Sequence, residues 1–167
     1  MSALFKPHSG SMHMPALLDR LSDPSKAKNK HTRHMSRNTY RQAVLRDLQW
    51  LLNCPNLYSQ LALDEFPEVS KSVLNYGIPS YAGANFTDAD LSRVAQAIKR
   101  AILYFEPRII KDSLSVHTVR EPETASAYNK ALFRIEASLW FEPYPIDMTI
   151  RAQWDSEIGS MHLQDAG

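Results

Sequence analysis

The chain has 167 residues, 44% hydrophobic and 22% charged, which suits one globular domain with a core of its own. A formal net charge of +1 at pH 7 gives no global field to draw in nucleic acid or a membrane surface. One cysteine, Cys54, excludes an internal disulfide framework and fits a reducing compartment.

No apolar run approaches the ~18–20 residues that span a bilayer, and Met1 to Met14 lacks the apolar centre of a signal peptide. A cytoplasmic location without membrane insertion is therefore expected. The near-neutral total hides an asymmetry. Arg20 to Arg46 holds eight basic residues against Asp23 alone, a local charge of +7, so the remainder carries −6. This basic stretch lacks interleaved aromatics and any groove-entering motif, and reads as a solvated or protein-docking arm, not a nucleic-acid binder.

Residues 1–37 read as a flexible N-terminal segment that includes the arm. Its histidines, His8, His13, His31 and His34, have no carboxylate or cysteine at ligand spacing, so no metal is expected. Ala16 to Leu21 is a short apolar turn. Asn38 or Thr39 can cap the next helix, on which Tyr40, Val44, Leu48, Leu51 and Leu52 share one face. Cys54, beside Pro55 at that helix's end, reads as a packed small residue, not a nucleophile. Shorter helical stretches are expected over Ser59 to Leu63 and Ser70 to Tyr76, with Gly77 as a left-handed stop. Thr87-Asp88-Ala89-Asp90 is a strong helix start, a Thr cap with acid three residues on. Leu91, Val94, Ala95, Ile98, Ile102 and Phe105 then repeat at helical spacing.

That helix stops at Phe105-Glu106-Pro107-Arg108. Proline cannot donate to the helical ladder and pushes its predecessor out of the α region. Glu106 and Arg108 thus sit two apart on a stiff turn. They are either solvated charges that pair with one another, or a docking site whose Arg fork grips a partner's carboxylate or carbonyls.

Beyond Arg108 the period changes to two. Leu114, Val116 and Thr118 alternate with polar residues, as do Phe133, Ile135, Ala137 and Leu139, and then Ile146, Met148, Ile150, Ala152 and Trp154. Arg120 to Asn129 reads as a polar loop. The fold class is α+β: N-terminal helices packed on a small antiparallel or mixed sheet of about three C-terminal strands. The domain is expected over 38–158, with 159–167 as a tail. The last strand is either an open edge or covered by the tail from Ser156.

No phosphate loop, CxxC, HExxH or GxSxG occurs, and no cofactor is expected. Glu106 with Asp112, or Glu121 with Glu123, are the acid pairs a glycosidase would need, but nothing in the sequence places either in a cleft.

Several pieces together resemble the TssE family of type VI secretion baseplates, related to the sheath-initiating wedge protein of contractile phage tails. They are Leu17-Leu18-Asp19-Arg20-Leu21, Arg46-Asp47-Leu48 with Leu51-Leu52-Asn53, Ser72 through Pro79 with its Asn75-Tyr76-Gly77, Glu106-Pro107-Arg108, and Leu132 to Ala137. The resemblance covers roughly Ala16 to Asp155 and implies a non-enzymatic structural part. Six copies per baseplate would contact the wedge proteins TssF and TssG, with TssK nearby. It implies wedge binding by Glu106, Pro107 and Arg108. It also implies that the sheath proteins TssB and TssC are received on strand edges carrying Phe133, Ile135, Ile146, Met148 and Ile150. On this reading Arg108→Ala leaves the fold intact, and proline at Ile150 blocks sheath nucleation. The phage relatives have carried a lysozyme-like label, which no residue here supports. The alternatives are a peptidoglycan hydrolase or a regulatory adaptor on a related fold.

Overall fold

A computed structural model describes residues 16–22, 35–59, 61, 65–81, 88–119 and 130–167. Helix α1, Leu17–Ser22, is a short N-terminal turn and α2, Arg37–Leu52, is the first long helix. Ser36 caps α2, its hydroxyl accepting the Thr39 N–H at 3.1 Å, so the cap lies just ahead of the two residues expected. Tyr40, Val44, Leu48, Leu51 and Leu52 are buried as their spacing requires, and Ala43 joins them.

The segment between the long helices departs from its periodicity. A single 3-10 turn at Leu57–Ser59 stands where a helix over Ser59 to Leu63 was expected, and residues 60 and 62–64 lie outside those described. The Ser70–Tyr76 stretch divides into helix α3, Pro67–Lys71, and a 3-10 turn at Val73–Asn75. Side chains bonding to backbone explain both breaks. Ser72 is extended, donates to Val69 O at 2.9 Å and accepts the Leu74 N–H at 3.3 Å. Buried Asn75 accepts the Tyr58 N–H at 2.9 Å and donates to Ser70 O at 2.8 Å, joining the two turns.

Gly77 then does more than stop a turn. Its φ is +115°, and a Cβ there would lie 2.0 Å from the carbonyl oxygen of Cys54. That approach lets Ile78 N donate to Cys54 O (3.0 Å) and Asn56 N to Ile78 O (2.9 Å).

Helix α4, Asp88–Phe105, carries the apolar stripe read from the sequence, with Val94, Ile98 and Ile102 buried. Its expected cap, Thr87, lies outside the described residues, as does the 120–129 loop. Among the described residues the sheet has four strands where about three were expected: β1 Ser115–Val119, β2 Lys130–Leu139, β3 Ile146–Asp155 and β4 Ser160–Asp165. All pair antiparallel in the order β1-β2-β3-β4. One face carries Phe133, Ile135, Leu139, Met148, Ile150 and Trp154 into the core with α2 and α4, and the other face is polar. The stretch read as a tail therefore supplies a strand: β4 pairs Ser160 to Asp165 with Asp155 to Ile150.

Gly77→Ala should destabilise the fold by at least ~2 kcal/mol, since it combines a strained φ with a backbone clash. Urea denaturation measures this.

Candidate functional site

Helix α4 closes with Glu106 N–H donating to Ile102 O at 2.9 Å, after which Pro107 forces the chain to turn. The turn carries the Glu106 carboxylate inward, leaving the residue only 5% exposed. Its Oε1 accepts the Arg108 backbone N–H (3.1 Å) and Nε–H (2.7 Å), and its Oε2 accepts from Arg108 Nη2. The two charges thus pair with one another.

The same Nη2 reaches Asp47 Oδ2 on α2 at 2.6 Å. Asp47 Oδ1 accepts from Arg46 Nε (3.0 Å) and Nη2 (2.8 Å), and Arg46 binds Asp19 on α1 through Nη1 and Nη2. Three carboxylates and two guanidiniums alternate along Asp19–Arg46–Asp47–Arg108–Glu106. This ionic chain fastens α1 and the Pro107 turn to opposite ends of one short stretch of α2. Burial works against the charge of Arg108, but the hydrogen bonds and charges of Glu106 and Asp47 together outweigh it and hold its pKa above the usual arginine range. The hydrogen bond from Arg46 lowers the pKa of Asp19, with burial opposing it in part.

Arg108 also lines a cleft of about 440 Å³ between α1, α2 and the turn, with Leu18, Met35, Tyr40 and Trp50 as its apolar wall. The Arg46 guanidinium lies 5.0 Å from the Trp50 ring centroid. Two of the three Arg108 nitrogens are spent within the chain. Nη1 makes no hydrogen bond among the described residues. The free fork expected from the sequence is therefore mostly occupied.

The strand edges also fall elsewhere. Phe133, Ile135, Ile146, Met148 and Ile150 are all buried core residues. Strand β2 lies between β1 and β3, and β3 lies between β2 and β4, so the runs carrying them are interior strands. The hydrophobic alternation that marked them reports a buried face, which is independent of whether a strand's backbone flank is free. The sheet's flanks are β1 and β4. Ile110 N donates to Ser138 O, so the even residues of β2 point their backbone groups toward β1. By register Ser115, His117 and Val119 face β2, and Val116 and Thr118 point outward. Among the described residues the outward groups of Val116 and Thr118 have no hydrogen-bond partner.

Of the acid pair Glu106 and Asp112, only Glu106 lines the cleft beside the turn. Three donors occupy the Glu106 oxygens, which suits an anchoring carboxylate, and Asp112 is exposed on the 3-10 turn Lys111–Ser113. Glu121 and Glu123 lie outside the described residues, as do the four N-terminal histidines and Lys26, Lys28, Lys30 and Arg33 of the basic arm. The arm's later arginines are structural. Arg37 donates to Pro145 O at 3.2 Å, Arg41 pairs with Asp165, and Arg46 belongs to the ionic chain. Among the described residues no cluster of three or more His, Cys, Asp or Glu could hold a metal, and no helix is long and apolar enough to cross a membrane.

The family model for baseplate wedge protein gp25 matches residues 38–144, from α2 through β2 and the following turn. The chain belongs to the gp25 baseplate wedge family. TssE belongs to this family, so the resemblance read from the sequence holds, and with it a baseplate wedge-like structural role. No curated protein and no solved structure gives a significant match. The gp25 match includes Asn75-Tyr76-Gly77 and Glu106-Pro107-Arg108, and β3 and β4 follow it. Asp19 and Asp47 stand within the stretches that carried the sequence resemblance, but only the fold shows that both belong to the turn's ionic chain.

Truncating Arg108 leaves the buried Glu106 carboxylate without its counter-charge and with only the backbone N–H of residue 108, so Arg108→Ala should cost ~3–5 kcal/mol of stability and cannot serve as a silent surface variant. Removing both charges, as in Glu106→Gln/Arg108→Met, should recover much of that loss in urea denaturation. Asp19 has a depressed folded pKa, so its contribution is present above the unfolded value of ~3.9 and is lost as pH falls through the lower folded value. Amide resonances of α1 should therefore shift below about pH 4, and Asp19→Asn should abolish that transition.

Proposed function

We propose that this chain is a TssE-type baseplate component of a type VI secretion system. It docks on the wedge proteins TssF and TssG, with TssK nearby, and starts the TssB–TssC sheath by offering a strand edge. Six copies act per baseplate on the cytoplasmic side, without catalytic turnover. The observation that carries this reading is the Pro107 turn, locked to α2 by part-buried charges beside a largely apolar cleft within a gp25-family fold.

A docking surface benefits from being rigid before the partner arrives, since less entropy is lost on binding. Arg108 Nη1 is placed to donate to a partner carboxylate or carbonyl, and Leu18 and Trp50 supply apolar area. For the sheath, β1 offers the outward N–H and C=O groups of Val116 and Thr118 as a short template for strand addition. That edge replaces the interior runs suggested by the sequence.

Co-purification from cells expressing the candidate wedge and sheath proteins tests the assignment. The chain should elute with TssF and TssG, and failure to retain either would remove the docking role. Thr118→Pro deletes an outward donor while sparing the β1–β2 ladder. It should keep the wild-type circular dichroism spectrum and wedge binding but lower sheath nucleation at least tenfold. Proline at Ile150 would instead break an interior strand.

A further inference from the structure

The two flanks of the sheet are treated differently, and the difference lies in α2. Ala166 N donates to Thr149 O at 2.8 Å, so the even residues of this C-terminal run turn their backbone groups toward β3. The odd residues Met161, Leu163 and Asp165 then point theirs outward, as an open edge would. On this flank the Met161 N–H and C=O and the Leu163 N–H are taken by side chains of α2. Asn53 Oδ1 accepts the Met161 N–H at 2.8 Å, and Asn53 Nδ2 donates to Met161 O at 2.8 Å. Gln49 Oε1 accepts the Leu163 N–H at 2.9 Å, and Gln49 Nε2 donates to Met161 O. At the far end Arg41 pairs with the side chain of Asp165.

Arg41, Leu45, Gln49 and Asn53 recur every four residues and form one stripe along α2. Twelve helical steps from Arg41 to Asn53 rise ~18 Å, and four strand steps from Met161 to Asp165 span ~14 Å, so the stripe is long enough to run beside this part of the strand. A primary amide presents a donor and an acceptor side by side, as the N–H and C=O of one strand residue do. Two amides at this spacing take three of the outward groups that a neighbouring strand would pair.

We infer that Gln49 and Asn53 are specificity-determining residues for strand addition: they act as a surrogate strand that closes the β4 edge, so that an extended partner segment can join this sheet only at β1. The inference rests on the strand-addition reading for its purpose, but the closing of β4 can be tested without any sheath or wedge protein. Covering a flank with a helix is one of the ways sheet proteins avoid uncontrolled pairing. Here the cover is local, made of two neutral side chains, and removable. An uncovered β4 would offer its outward groups to the matching β4 edge of a second copy in antiparallel register.

The test compares Gln49→Leu/Asn53→Leu with the wild-type full chain by size exclusion with light scattering, over roughly 5–200 µM. The variant should shift to twice the wild-type mass with rising concentration, and Leu163→Pro added to it should restore the wild-type mass by removing an outward donor. A variant that keeps the wild-type mass at every concentration overturns the inference. A dimer that persists with Leu163→Pro also overturns it, because the contact then lies elsewhere. Asn53 also caps α2 by donating to Gln49 O at 2.8 Å, so the double variant can lose its fold. In that case Gln49→Leu alone, which spares the cap, is held to the same two outcomes.

Discussion

The buried pairing of Glu106 with Arg108 is the constraint on which this structure turns. A carboxylate only 5% exposed is tolerated because three donors from one neighbouring residue meet it. Proline makes that possible by ending α4 abruptly and folding the next residue back over the last turn. Asp47 then takes the remaining charge of the guanidinium and passes the linkage to Arg46 and Asp19. The short α1, which has little core of its own, is positioned by this chain of charges together with the apolar contacts of the cleft.

This arrangement reconciles two readings of the Glu-Pro-Arg turn that look opposed. A turn whose charges are satisfied internally is poor at grasping but good at presenting. Its fixed geometry holds one guanidinium nitrogen and an apolar wall in a set relation, and a partner need not order them. Desolvation offsets much of the attraction in an ion pair of this kind. The pair's clearer consequence is geometric: few other conformations of the turn can satisfy the buried carboxylate and the half-buried guanidinium together.

The sheet shows the same economy at its flanks. Side chains of α2 meet the outward groups of β4, and among the described residues nothing meets those of Val116 and Thr118 on β1. The sequence-level pattern pointed to the apolar strands, and those proved to be the interior ones. Their alternation is strong because their side chains fill the core, as with Phe133 and Ile150. Edge status depends on what lies beside a strand in space, and no local pattern encodes that.

Much of the molecule was legible in the chain itself. The 3.6-residue stripes of α2 and α4, the period-two runs of β2 and β3, the Gly77 stop and the Pro107 turn follow from side-chain size and backbone sterics, which act over a few residues. The order of Asn75-Tyr76-Gly77 before Glu106-Pro107-Arg108 was enough to suggest the family. What the tertiary structure alone decided is which groups meet across long separations. Asp19 with Arg46, Asp47 with Arg108, and the amides of Gln49 and Asn53 with Met161 and Leu163 are brought together only when α2 settles against the sheet. Hydrogen bonds and ion pairs are short-ranged and directional, so their partners depend on the fold's geometry and leave no periodic trace in the sequence.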